Sequence, residues 1–188
     1  MEYFDEELLE AKREQERKKH TTLETGIYAG DELITFTPMT LPNSKIHFLL
    51  PEQFVIMPEI VKDVKYPSKY APDFIMTSLD RKVNFCFNLL SVQDGNIKAM
   101  SMQFQNILQN TNPSIMIKNQ TNTNTEQGNE MSWFEYKGFL LDGQSYNRVY
   151  LVRMRKSVIH GIFSCQSRDG EKWKSIVDKV FIKIEEDV

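Results

Sequence analysis

Prolines fix most of the backbone between Ile46 and Leu90, where Pro51, Pro58, Pro67 and Pro72 fall. Each sets its own φ, removes a hydrogen-bond donor and keeps the residue before it out of the helical region. The apolar run from Ile46 is therefore a strand that ends at Leu50-Pro51-Glu52-Gln53-Phe54. Pro58 suits the first position of a short helix over Met57 to Val64, in which Ile60, Val61 and Val64 share one face. That helix must end near Lys65, because Lys65-Tyr66-Pro67-Ser68 and then Pro72 impose turn or extended backbone. Pro72-Asp73-Phe74-Ile75-Met76-Thr77-Ser78 returns as a strand, and a turn at Asp80-Arg81 leads into Val83 to Leu90. There Val83, Phe85, Phe87 and Leu89 alternate with Asn84, Cys86, Asn88 and Leu90, the pattern of a core strand with one strongly apolar face. None of these steps calls for a reactive group.

Around this segment the chain reads as one unit with a charged lead. Residues 2 to 20 are helical in pattern, with acids early, bases late and a single apolar patch of Tyr3, Phe4, Leu8 and Leu9. The lead is either a solvated helix or one whose patch docks on the domain or on a second copy. Thr21 to Gly30 is expected as a linker, followed by strands at Leu33 to Phe36 and Ile46 to Leu50. Asp94-Gly95-Asn96 marks a turn and helix cap, and Ile97, Met100, Phe104, Ile107 and Leu108 recur at helical spacing. Ser114 to Ile117 is a further strand, and the Asn-, Thr- and Gln-rich stretch Lys118 to Asn129 is expected as a long exposed loop. Met131 to Leu141, Tyr146 to Arg155 and Val158 to Gln166 then form an antiparallel meander, and Trp173, Ile176, Val177 and Val180 mark a packing helix over Glu171 to Val180. The expected division is a charged helix and linker over residues 1–30 and a single α+β domain over residues 31–188, with helices packed on a mainly antiparallel sheet.

The order of elements from residue 33 to residue 184 resembles the superfamily that joins the photosystem protein PsbP, the Ran-binding Mog protein and bacterial DcrB-like proteins. The resemblance rests on Leu50-Pro51-Glu52-Gln53-Phe54, Lys65-Tyr66-Pro67, Pro72 with its strand, and the amphipathic helix around Trp173. It implies an αβα sandwich around an antiparallel sheet, and a binding, accessory or chaperone-like role in a bacterial cell. Within it Pro51 would end a strand, Phe54 would anchor in the core and Tyr66-Pro67 would fix a chain reversal.

Composition narrows the function classes. A net charge of −3 provides no electrostatic footprint for nucleic acid, and no apolar window approaches the ~20 residues of a membrane span. The acidic start, Met1-Glu2-Tyr3-Phe4-Asp5-Glu6-Glu7, is unlike the basic start of a signal peptide, so a cytoplasmic protein is expected. Cys86 and Cys165 lie in apolar strands without CxxC spacing and read as buried, reduced side chains. His20, His47 and His160 have no metal-ligand spacing, and the glycines form neither phosphate-binding motif. No catalytic, metal or cofactor residue is therefore expected. His160 and Cys165, five apart on one strand, point to opposite faces, although Cys86 with a distant histidine could still assemble in three dimensions.

The candidates for partner binding are Arg153 and Arg155, read as sharing a strand face with Leu151 within the basic cluster Arg148, Arg153, Arg155 and Lys156, together with Tyr66 and Tyr70 flanking Pro67. The arginines would form either a positive strip for an acidic partner or a charged, guarded edge. The tyrosines would either be displayed or seal the turn. The function expected is that of a non-enzymatic protein-binding or accessory protein, with weak self-association through residues 1–20. The alternatives are a chaperone or adaptor for a secreted segment, and an enzyme with a cysteine-based site.

Overall fold

The computed structural model describes residues 2–67, 71–91, 95–140 and 143–187. Tyr70, and also Ser68, Asp94, Leu141 and Asp142 of the expected turns and strand ends, lie outside the described residues.

Helix α1 (Glu2–Lys19) precedes the short strands β1 (Thr21–Thr22), β2 (Gly26–Ala29), β3 (Glu32–Ile34) and β4 (Phe36–Thr40), then β5 (Ile46–Pro51) and β6 (Val55–Ile56). Helix α2 (Glu59–Lys65) leads to β7 (Phe74–Thr77) and β8 (Asn84–Leu90), and helix α3 (Ile97–Thr111) leads to β9 (Met116–Asn124), β10 (Glu130–Leu140), β11 (Gly143–Arg153) and β12 (Val158–Gln166). A 3-10 turn at Ser167–Asp169 opens helix α4 (Gly170–Ile182), and strand β13 (Glu185–Glu186) follows.

Strand alternation decides the layers. Seven strands form one sheet in the order β6-β7-β8-β12-β11-β10-β9, with antiparallel neighbours throughout. On one face Phe85 and Phe87 of β8 and Phe163 of β12 meet Trp173, Ile176, Val177, Val180 and Phe181 of α4, together with Ile46, Phe48 and Leu50 of β5. On the other face Ile97 of α3 packs on Leu151 and Val158, while Cys86 and Ile75 pack with Met57, Val61 and Tyr66 around α2. The result is an α+β sandwich with α4 on one side of an antiparallel sheet and α3 and α2 on the other. The main strands and packing helices expected from the sequence are all present.

Three expectations change. Thr21 to Gly30 is not a bare linker: β1, β2 and β3 form a small sheet, and Leu23 and Ile27 join the main core. The chain reverses there at Gly26, whose φ is +84° and whose absent Cβ would lie 3.0 Å from Leu33 and 3.1 Å from the Ile34 carbonyl. Lys118 to Asn129 is mostly strand, because β9 continues to Asn124 as an edge strand that uses β10 for its backbone hydrogen bonds and leaves both faces largely open. Thr and Asn are compatible with that position, since an edge strand need not alternate. The strand expected over Leu33 to Phe36 is split between β3 and β4, and Pro38 sits within β4 at the edge of the small sheet β13-β5-β4, where a missing donor is tolerated.

Candidate functional site

The short helix did not turn the way its apolar spacing implied. α2 follows Pro58 in an extended conformation at its N-cap and contains no buried residue. Only Val61 of its aliphatic side chains packs inward, whereas Ile60 is 82% and Val64 79% exposed. The adjoining strand β6 is the edge of the seven-stranded sheet and carries Val55 and Ile56, both also exposed. The charges of α2 are sorted as well. Lys62 directs Nζ towards the Asp73 carbonyl (3.5 Å) and lies 3.9 Å from Glu59. Lys65 bends back to donate to the Arg81 carbonyl (2.8 Å) and Asn84 Oδ1 (3.2 Å), and burial pulls its pKa below the ordinary lysine value. Glu59, Asp63 and Lys65 are all exposed.

A cleft of about 360 Å³ opens beside this edge, lined among others by Ala29, Ile34, Phe54, Leu79, Val83 and Trp173. Its walls come from local sequence. Pro51 ends β5, and the turn that follows is closed by the Phe54 amide on the Pro51 carbonyl (3.0 Å), with Glu52 held between the Thr35 carbonyl and hydroxyl. Phe54 thereby reaches the core, its ring 6.0 Å from Phe85 and 5.9 Å from Trp173. Opposite, Ser78 and Asp80 tie the β7–β8 turn: Ser78 Oγ donates to Asp80 Oδ1 (2.6 Å) and accepts from the Val83 amide (3.0 Å). Arg81 takes a φ of 59° there, and Leu79 is left 74% exposed at the lip of the cleft. Glu32, Asp80, Asp169 and Lys172 complete the rim. The Ser78 hydroxyl, followed by the contacts of Lys82, holds the Asp80 carboxyl below its ordinary pKa.

The residues chosen from sequence are not brought together. Tyr66 is half-buried in the α2 cluster, with its hydroxyl 3.6 Å from Cys86 Sγ, and so packs under the turn. Tyr70 lies outside the described residues. Arg153 ends β11, but Arg155 lies beyond the strand, its backbone amide donating to Glu186 Oε2 (2.8 Å), so the two arginines and Leu151 do not form one strand face. Arg148 belongs to the opposite face and is buried. Its guanidinium lies 3.9 Å from the Trp133 ring centroid, donates to Asp178 Oδ1 (2.6 Å) and to the Tyr150 hydroxyl (3.2 Å), and its Nε lies 3.5 Å from Glu135.

The thiols and histidines point away from nucleophilic chemistry. Cys86 and Cys165 are buried and unpaired, and burial pushes their pKa up to about 11 and about 12. His160 stacks on Phe104 at 4.4 Å and lies 3.3 Å from Asn88 Nδ2, and burial lowers its pKa to about 4. His47 bridges Thr40 and Asp187. Among the described residues no group of three or more His, Cys, Asp or Glu side chains is placed to hold a metal ion, and no helix is long and apolar enough to cross a membrane. What the edge and cleft offer is apolar contact beside carboxylates. Sequence spacing found Ile60 and Val64 but read them as a packing face. The contrary signal is that a seven-residue helix between two prolines has room to anchor only one side.

No family model matches the sequence, and a search of curated proteins finds no match. Solved structures do match. The solution structure of cyanobacterial PsbP (CyanoP) from Synechocystis sp. PCC 6803 aligns with a TM-score of 0.62 at 15% identity, over 86% of this chain and 98% of that one. The crystal structure of LpqN, described as involved in cell envelope biogenesis of Mycobacterium tuberculosis, aligns with a TM-score of 0.54 at 12% identity, over 88% and 96% of the respective chains. With an antiparallel sheet flanked by helices and alignments that span nearly all of both matched chains, this protein has the PsbP-like fold.

Proposed function

We propose that this is a non-enzymatic binding or accessory protein that engages another protein through the edge formed by β6, α2 and the β7–β8 turn. The observation that carries the reading is the exposure of Val55, Ile56, Ile60, Val64 and Leu79, from 42% to 82%, on β6, α2 and the β7–β8 turn; Met102, Ile107, Met116 and Phe139, on α3, β9 and β10, are exposed as well, from 51% to 60%. Scattered apolar side chains are ordinary on a surface, but a set of them gathered on one short helix and its adjoining edge strand marks an interaction site. The proposal places the protein in a bacterial cytoplasm, and its two buried unpaired thiols are compatible with a reducing compartment. A chaperone or adaptor for a secreted segment would use the same edge. A cysteine-based enzyme is disfavoured because both thiols are buried and held protonated.

Replacing Ile60 by a photo-crosslinking phenylalanine should trap a partner in the native cell, whereas the same replacement at Lys118, on the opposite sheet edge, should not. Equal adducts from both positions, or none from position 60, would refute the reading. Ile60→Asp combined with Val64→Asp should abolish specific capture while changing stability by no more than about 0.5 kcal/mol, because neither side chain is buried. Arg153 and Arg155 remain a second proposed contact, for an acidic partner surface, as neither guanidinium is ion-paired among the described residues. Arg153→Glu with Arg155→Glu should weaken capture and its salt dependence if they contribute.

A further inference from the structure

α4 and α3 cover opposite faces of the seven-stranded sheet, and they are fastened to it in different ways. α4 puts Trp173, Ile176, Val177, Val180 and Phe181 into the core, and its Asp178 accepts from Arg148 (2.6 Å) and from the Tyr150 hydroxyl (2.9 Å) of β11. α3 has no such tie. Among the described residues no hydrogen bond or ion pair joins one of its side chains to the sheet, and its ring contact is the stack of Phe104 on His160. The stripe that it turns inward is half polar, because Ser101 and Gln105 follow Ile97 at i+4 and i+8, flanked by Met100 and Phe104. Ser101 Oγ and Gln105 Nε2 are buried with no hydrogen-bond partner among the described residues, and so is Ser132 Oγ of β10. Ser132 is the cross-strand neighbour of Leu151, which packs on Ile97, so its hydroxyl is on the face that α3 covers. A buried hydroxyl or amide without a partner costs free energy that water returns on exposure. The apolar burial that opposes this is small, since Ile97 is the one fully buried apolar side chain of the helix, while Met102 and Ile107 are exposed.

We infer that α3 is a hinged cover, which swings off the sheet as one unit while the sheet and α4 stay folded, and in doing so uncovers Leu151, Val158, Ser132 and His160. Openings of this kind occur in segments with few buried contacts and need far less free energy than global unfolding. The pivot on the C-terminal side is Asn112-Pro113. The Asn112 amide closes the last turn on the Leu108 carbonyl (2.9 Å), and Pro113 has no amide with which to carry the helix further. The cover is separate from the apolar edge of β6 and α2 and does not depend on what binds there.

Amide hydrogen exchange of the full chain measures the opening. The amides of residues 101–109 should share one protection factor, about 100-fold or more below those of β11 and β12, with little urea dependence because the opening exposes little surface. A Ser132→Cys variant probes the covered face, with Cys86 and Cys165, both buried, as internal references. The thiol at position 132 should react with an aromatic disulfide reagent about 100-fold or more faster than either of them. Gln105→Leu should slow both the α3 amides and the position-132 thiol by about tenfold, since it removes an orphaned amide and adds apolar contact. Exchange of the α3 amides at the rate of β11 and β12 overturns the proposal. So does a gradient of protection running in from Thr111, which is fraying, or a position-132 thiol as slow as Cys165. If Gln105→Leu leaves both rates unchanged, the orphaned groups are not what loosens the helix, and the proposal falls with them. Should Ser132→Cys fail to fold, the wild-type exchange pattern decides alone.

Discussion

Gly161 lies within β12 where a Cβ would sit 2.2 Å from Cε1 of Phe181, whose ring stacks flat on Tyr150 at 3.9 Å. The missing side chain lets α4 approach the sheet. Gly161→Ala should therefore cost about 1–3 kcal/mol, read as a lowered urea midpoint, because the ring has to leave its stack. Nearby, burial pushes the Glu135 carboxyl up, but hydrogen bonds from Tyr146 and Asn119 and the neighbouring Lys174 and Arg148 charges outweigh it, and its pKa lies below the ordinary value. A depressed carboxylate stabilises the fold above its unfolded pKa, and that contribution is lost as the pH falls through the folded one. Acid melts should show this loss below an unfolded pKa of ~4.3. In Glu135→Gln it should be absent, with a lower stability at neutral pH because Arg148 is left buried without that charge. A flat comparison between wild type and variant would mean the pair is already solvated. Sequence alternation assigned neither role. It showed which strand Arg148 is on, but its neighbours alternate apolar on both faces, so a buried arginine was indistinguishable from an exposed one beside Arg153.

α3 is held more lightly than its periodic sequence suggests, with Ile97 and Ser101 its only buried residues. Its helical spacing was legible, and so was its cap, since the Asn96 side chain accepts from the Ala99 amide at 2.9 Å. What spacing could not convey is the depth of burial, because Ser101 and Gln105 carry buried polar atoms that have no hydrogen-bond partner among the described residues. The helix depends on Met100 and Phe104 packed around the buried residues, and Phe104 lies on the neutral ring of His160. His160 titrates near 6.5 when unfolded but has been pushed down to about 4 in the fold, so between those values the unfolded chain binds more protons. Stability should fall as the pH drops from ~6.5 towards 4, by up to about 3 kcal/mol, and His160→Gln should flatten that part of the profile. Above pH 7 the two proteins should show parallel behaviour. If the wild-type profile is already flat between pH 4 and 6.5, the ring is hydrated and α3 does not seal it. A similar limit explains α2: i, i+4 spacing identifies a stripe, while the prolines at its ends and the lysines reaching inward decide which way it faces.

At the scale of the molecule the question is where the folding unit begins. α1 is exposed along its described surface, including Leu8 and Leu9, while the side chains of Tyr3 and Phe4 lie outside what the structure describes. It is tied to the rest of the chain by Arg17, which donates to Asp31 (2.7 Å) and the Gly30 carbonyl (3.1 Å) and lies 5.6 Å from the Tyr28 ring centroid. Exposed pairs of this kind contribute about 0–1 kcal/mol. Residues 21–29 differ, because Leu23 and Ile27 are 2% and 6% exposed within the main core, and Glu24 is ion-paired to Lys183 just beyond α4. Removing residues 1–20 should accordingly leave the urea transition cooperative and shift stability by about 1 kcal/mol or less. Removing residues 1–30 should cost several times that, since two fully packed aliphatic side chains are worth about 2–5 kcal/mol each when truncated. Equal transitions for both truncations would return the boundary to residue 30, and a loss of cooperativity in the first would make α1 part of the core. A first truncation that melts normally but sediments as a smaller species than the full chain would instead assign α1 to contacts between copies, leaving the apolar edge at α2 free for a different protein.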